Sequence, residues 1–145
     1  VKKRVLGVDF GHARIGLAVS DPLKIFASPL STIGGSTNPV VAAHHVATQV
    51  RKLSYEIDTI VVGLPLHLNG TESIRSEEVR RFATELEHVL NIPVRLFDER
   101  LTTVQAERLM KEASMSRKAR ASSVDGVSST ILLQSFLDLQ GTTTE

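Results

Sequence analysis

The sequence predicts an α/β fold, a mixed five-stranded sheet with helices on both faces. Three observations predict it. Two apolar runs, Val5 to Val8 and Ile15 to Val19, flank a short turn containing Gly11, His12, Ala13 and Arg14, which reads as a hairpin. From residue 38 onward, runs of helical periodicity alternate with runs of strand type. Asp58 to Gly63 (DTIVVG) is nearly all apolar, as expected of a central strand buried on both faces. Hairpin strands followed by alternating strands and helices give a sheet of mixed direction covered by helices.

Each element has its own signal. Ile25 to Ile33 (IFASPLSTI) reads as a third strand, and Pro29 assigns it to an edge because proline cannot donate to a ladder. Gly34 to Thr37 breaks that pattern. Asn38 followed by Pro39 is an N-cap with proline at the first helical position. Val40, Ala43, Val46, Ala47, Val50 and Leu53 continue at helical spacing to about Ser54. After the central strand, the loop Leu64 to Gly70 (LPLHLNG) carries turn residues in Pro65, Asn69 and Gly70. Val79, Phe82, Ala83, Leu86, Val89 and Leu90 mark a second helix, with Glu72, Glu77 and Glu78 at its positive end. Ile92 to Phe97 is a fifth strand running into Asp98-Glu99-Arg100. Thr102 and Gln105 form a capping box for a third helix through about Ala113. Ser122 or Ser123 can cap a last helix bearing Val124, Val127, Ile131, Leu132, Phe136 and Leu139, with a loose tail from Gly141. The predicted order is β-β-β-α-β-α-β-α-α, without repeat or linker, so residues 1–145 read as one domain.

Composition excludes several function classes. Hydrophobic residues are 41% and charged residues 23%, which fits a packed globule. No cysteine is present, so disulfides, thiolate metal sites and a Cys nucleophile are excluded. No apolar run approaches the roughly 20 residues that span a bilayer, and the basic start Lys2-Lys3-Arg4 leads into a strand rather than a signal peptide. A cytoplasmic protein with no membrane partner is expected. Net charge is +1, so charge distribution is the better guide to partners. Ser116 to Ala121 (SRKARA) holds Arg117, Lys118 and Arg120 without an acid, a candidate phosphate-contacting loop or a solvated linker.

Three acids stand at element ends: Asp9, then Asp98 or Glu99, then Asp125 in the first turn of the last helix. A carboxylate ending a buried strand is costly unless paired or bound to a cation. Carboxylates from separate elements meeting at one sheet end would suit Mg²⁺ or Mn²⁺. Two such ions roughly 4 Å apart can activate water and stabilise the leaving oxygen in phosphodiester cleavage. The competing reading is of ordinary caps and surface charges. Asp98 and Glu99 point to opposite faces if the strand continues through them, so alternation alone leaves the choice open.

The combined pattern narrows the choice. LGVDFGHARIGLAVSD, VVGLPLHLNG, FDERLTTVQAERL and VDGVSSTILLQSFLD, in this order, resemble the YqgF/RuvX family over Arg4 to Asp138. That family is similar to RuvC-type Holliday-junction resolvases. The resemblance implies an RNase H-like fold and a metal-dependent nuclease that matures the 5′ end of precursor 16S ribosomal RNA. It assigns the acidic cluster to Asp9, Glu99 and Asp125, with Glu99 chosen over Asp98 on this ground alone. The departures are His12 and Ala13 for a frequent Thr-Lys, His67 and Leu68 for Asn-Met, and Ser128 and Ser129 for small apolar residues. None alters the carboxylates, so they bear on substrate fit.

The remaining candidates each have two readings. Gly11 and Gly16 permit a tight hairpin or a close approach to phosphate. Arg14 steadies a phosphate or pairs with Asp21, and Arg100 contacts substrate or pairs with Asp98. In the 64–70 loop, His67 and Asn69 are hydrogen-bonding groups for substrate, or part of a plain turn. His44 and His45 have no ligand-spaced partner. Aromatics are 4%, and no stacking platform is evident, so naked RNA is expected to be a poor substrate and a ribosomal particle a better one. The alternatives are a dimeric resolvase of branched DNA, a non-catalytic RNA-binding assembly factor, and a nucleotide-binding domain whose DFGxxxxG resembles the sugar-kinase phosphate loop. A monomer or a homodimer fits the sequence.

Overall fold

The computed structural model describes residues 3–102, 108 and 124–143, except the side chains of 124–126 and 141–143. Its sheet is built from β1 (Arg4–Asp9), β2 (Arg14–Ser20), β3 (Ala27–Gly34), β4 (Ile57–Leu64) and β5 (Val94–Asp98). The helices are α1 (Pro39–Arg51), α2 (Ile74–Leu90) and α3 (Val124–Thr143), with a 3₁₀ turn at Glu99–Leu101. The strand order is β3-β2-β1-β4-β5. β1 pairs antiparallel with β2 and parallel with β4, so the sheet is mixed, as expected. β3 is an edge strand, and the β2–β3 register shifts between Leu17 and Ala18, where Pro29 pairs with Ala18. Apart from Thr102 and Arg108, the predicted third helix lies outside the described residues, as does the 116–121 segment.

Side-chain alternation along the strands divides the core. Leu6, Val8, Phe10, Ile15, Leu17, Ile60 and Val62 pack with Ala42, Ala43 and Val46 of α1 and Phe82 and Leu86 of α2. On the opposite face, Val5, Ala18, Val61 and Phe97 pack with Leu132, Leu133, Phe136 and Leu137 of α3. The second face is floored by small residues. A Cβ at Gly7 would lie 2.8 Å from Leu133 Cβ and 3.3 Å from the Ser129 carbonyl oxygen, so α3 rests directly on the β1 backbone.

The caps explain the helix boundaries. Asn38 Oδ1 accepts from Val40 N at 2.9 Å, with Pro39 at the start of α1, as predicted. Ser73 and Ser76 cap α2 reciprocally, and Asn91 ends it at φ +56°. Two expectations need correction. α1 stops at Arg51, and Val40 is exposed while Ala42 is fully buried, because the inward stripe of the first turn runs through Pro39 and Ala42. α3 is not a simple apolar stripe: Ser129, Thr130, Gln134 and Ser135 are buried among its leucines. Gln134 reaches β3, accepting from Ala27 N at 2.8 Å and donating to the Ile25 carbonyl at 2.9 Å. No helix among the described residues is long and apolar enough to cross a membrane.

Candidate active site

Alternation sets the site. Val5, Gly7 and Asp9 of β1 share the face that α3 covers, and Asp9 pairs across the ladder with Gly16 of β2. On β4, Val61 and Gly63 share that face, and Gly63 lies opposite Phe97 of β5. Two positions beyond Phe97, Glu99 returns to the same side. Asp9, Glu99, Thr102, Ser128, Ile131 and Leu132 then line one cleft of about 260 Å³ at the carboxyl ends of β1, β4 and β5.

Glu99 folds back onto β4. A Cβ at Gly63 would lie 2.7 Å from Glu99 Oε2 and 3.1 Å from its Cγ, so this side-chain position requires glycine there. The residue as a whole keeps exposed surface, yet the protein around its carboxyl group is enough to push its pKa up. Burial is the largest cause and Asp98 adds to it, while Arg75 acts in the opposite direction.

Asp98 has a different task. It accepts from Arg100 N at 2.9 Å and from Arg100 Nε and Nη2 at 3.0 and 2.5 Å. The Arg100 side chain therefore holds the Asp98 carboxyl below its usual pKa, against partial burial. Asp98 caps the 3₁₀ turn while Glu99 faces the cleft, which separates the two acids that alternation left open. Arg100 is the partner of Asp98, one of its two readings. It also donates to the Leu68 carbonyl at 3.2 Å, fastening the 64–70 loop beside the site.

That loop is built largely from its own hydrogen bonds. Asn69 Oδ1 accepts from Thr71 N at 3.0 Å and from Thr71 Oγ1 at 2.7 Å, so its carbonyl is committed to the turn. His67 N donates to the Thr71 carbonyl at 3.0 Å, and the His67 side chain stays exposed. Leu68, at the tip, is 94% exposed. Gly11 takes its hairpin reading, because a Cβ there would lie 2.5 Å from the Arg14 carbonyl oxygen.

Arg14 does not pair with Asp21, because the two stand at opposite ends of β2, about 20 Å of extended chain apart. Asp21 instead accepts from Ile25 N and Phe26 N at 2.8 and 2.9 Å. Those bonds outweigh burial and lower its pKa. Phe26, 66% exposed, lies at that far end of β2, whereas Phe10, Phe82, Phe97 and Phe136 are buried. His12 Nε2 pairs with Glu78 Oε1 at 2.8 Å, tying the first hairpin to α2. His44 makes a similar tie from α1 to Glu85 at 2.9 Å.

Asp125 lies in the first turn of α3, with its side chain outside the described residues. Arg117, Lys118 and Arg120 lie outside them altogether. Among the described residues no three acid or histidine side chains form a complete metal site. The cleft is lined by the carboxylate residues Asp9 and Glu99 and the hydroxyl residues Thr102 and Ser128, beside Ile131 and Leu132; oxygen ligands of this kind suit a hard divalent cation. Sequence reasoning missed Arg75, whose Nη2 donates to the Phe10 carbonyl at 3.0 Å. The available signal was a cation in the first turn of a helix, where the dipole favours acids.

Solved structures share this fold. Thermus thermophilus RuvC in complex with a Holliday junction substrate superposes with a TM-score of 0.60 at 13% identity, covering 98% of this chain and 97% of that one. The fowlpox virus Holliday junction resolvase gives 0.57 at 12%, covering 94% and 99%. The fold is thus RNase H-like, of the RuvC class, with an acidic cleft at one end of the sheet. A family model described as RuvX, Holliday junction resolvase, matches residues 3–139, and the chain belongs to that family. It is accordingly a nuclease-family hydrolase acting on phosphodiester bonds. A curated relative from Protochlamydia amoebophila is 47% identical over 139 residues, covering 93% of each chain. Another, from Koribacter versatilis, is 44% identical over 143 residues, covering 97% of this chain and 90% of its own. Both carry the name "Putative pre-16S rRNA nuclease".

Proposed function

We propose that the chain hydrolyses a phosphodiester of precursor 16S ribosomal RNA near the mature 5′ end, using Mg²⁺ or Mn²⁺ held by Asp9, Glu99 and Asp125. The observation that carries this reading is that Asp9, from β1, and Glu99, just past β5, line one cleft under α3. Helical spacing puts positions 125, 128 and 132 on one stripe, and Ser128 and Leu132 both line that cleft. Divalent ions bound there supply a nucleophilic water and charge stabilisation for the leaving oxygen.

The chain's own residues do the rest. The carboxylates of Asp9 and Glu99 orient the reacting centre, and Gly63 leaves Glu99 the room it needs. The 64–70 loop, with His67 and Asn69, borders the path of the strand, and Arg100 keeps it in place. Arg14, Arg117, Lys118 and Arg120 contact flanking phosphates. Discrimination for RNA rests on contacts to the 2′-hydroxyl or to backbone shape rather than on the cleavage chemistry, which is common to RNA and DNA. The reading treats residues 1–145 as one nuclease domain acting in the cytoplasm, on a ribosomal particle that presents the RNA.

The names of the relatives favour RNA, whereas the description of the family model favours a second reading, resolution of four-way DNA junctions. A two-fold symmetric junction calls for a dimer. The test is to incubate the purified protein and Mn²⁺ with precursor ribosomal particles, naked precursor RNA and a four-way DNA junction. Shortening of the 5′ extension in particles supports the RNA reading. Symmetric junction cutting by a dimer, with particles untouched, replaces it. Tight RNA binding with no cutting under any metal leaves only an assembly factor.

A further inference from the structure

Arg75 occupies a position that helix electrostatics disfavours, in the first turn of α2 beside the positive end of the dipole. Its contact explains the placement. Nη2 donates to the carbonyl of Phe10 at 3.0 Å, and Phe10 directly follows Asp9. The guanidinium is therefore fastened to the end of the strand that carries one cleft carboxylate. It also lies near enough to the other to favour the ionised form of Glu99.

The surrounding arginines make a contrast. Arg80 is committed to Glu72 at 2.8 Å, and Arg100 to Asp98 at 2.5 Å. Arg75 is held by a neutral carbonyl, and among the described residues its single hydrogen bond uses one of five donors. Its charge is thus anchored without being neutralised, and the side chain is exposed to an incoming ligand. A cleft lined by Asp9 and Glu99 repels a phosphodiester, so a cation anchored beside Asp9 and near Glu99 has a direct use. A planar guanidinium matches the paired oxygens of a phosphate.

We propose that Arg75 binds a non-bridging oxygen of the phosphate being cut; this rests on the hydrolase reading above. The neutral anchor at Phe10 sets the guanidinium in line with the strand end carrying Asp9, so substrate binding and alignment with the carboxylates are coupled through one residue.

The test compares the wild-type chain with Arg75→Gln and Arg75→Lys. Single-turnover cleavage is followed in Mn²⁺, and binding of the same single-stranded RNA is followed in EDTA across a salt series. Arg75→Gln should lose about 10- to 100-fold in kcat/KM and reduce the salt slope by about 0.7, the value for one single-strand phosphate contact. Its thermal midpoint should stay within a few degrees of wild type. Arg75→Lys should restore the slope but only part of the rate, because a point charge lacks the fork. Substituting a neutral methylphosphonate at the scissile position should bring wild type and Arg75→Gln together. Unchanged slope and rate in Arg75→Gln, alongside an inactive Asp9→Asn, would overturn the role of Arg75 and leave the hydrolase reading intact. A rate loss that persists in full on the methylphosphonate, with the slope unchanged, also overturns it, since Arg75 then only holds the Phe10 carbonyl. Absence of cutting by wild type, with a slope that still depends on Arg75, overturns the hydrolase reading and supports the phosphate contact.

Discussion

Glu99 shows how a single side chain divides its energy between fold and site. Its pKa is raised above the ordinary 4.5, chiefly by burial, so the folded state binds its proton more tightly than the unfolded chain does. The sign follows: stability is greatest below the unfolded pKa and falls as pH rises through the folded one. In metal-free buffer, Glu99→Gln should therefore be more stable than wild type at pH 7, with the gap closing near pH 4, about the unfolded pKa. Urea unfolding in EDTA at the two pH values checks this, and equal stability at pH 7 would contradict it. Asp98 and Glu99 also mark where sequence reasoning stopped. Strand alternation showed that they face opposite ways but not which one faces α3; that depends on the 3₁₀ turn and the Asp98–Arg100 pairing, which form only in the folded chain. The contacts of Arg75 and Gln134 were illegible for the same reason, since their partners lie 65 and more than 100 residues away in sequence, even though the placement of Arg75 in a helix first turn was visible.

Among elements, the contact of α3 with the sheet separates structural glycines from functional ones. At Gly7 a methyl group would meet Leu133 Cβ and the Ser129 carbonyl, neither of which can move without lifting α3. Gly7→Ala should cost about 1–3 kcal/mol, as overpacking does, read as a lower urea midpoint. At Gly63 the same methyl meets the flexible end of Glu99. Gly63→Ala should leave the midpoint nearly unchanged while displacing Glu99 and lowering cleavage at least tenfold, about the effect of losing one well-placed charged group. Similar activity in Gly63→Ala and wild type would remove Glu99 from the mechanism. The strands and α1 were the most legible elements: the Asn38-Pro39 cap, the Pro29 edge strand and the nearly all-apolar β4 each follow from local chemistry. α3 was the least legible, because a helix buried along several sides has no single apolar period to read.

For the whole molecule, the acidic cleft lies at the carboxyl ends of β1, β4 and β5, and binding must bring a polyanion towards carboxylates. Positive charge elsewhere has to offset that repulsion. Neutralising Arg117, Lys118 and Arg120 together should weaken RNA binding and flatten its salt dependence, with a smaller effect on turnover once bound. A salt series by fluorescence anisotropy checks this, and an unchanged slope would make the segment a solvated linker. The central claim is that Asp9 and Glu99 act with a divalent ion on a phosphodiester. The most direct measurement is Mn²⁺-dependent cleavage of a 5′-extended 16S precursor by wild type and Asp9→Asn at matched folding, judged by circular dichroism. The account predicts cutting that needs both Mn²⁺ and Asp9, with Asp9→Asn folded and inactive; full cutting by Asp9→Asn, or by wild type in EDTA, would contradict it.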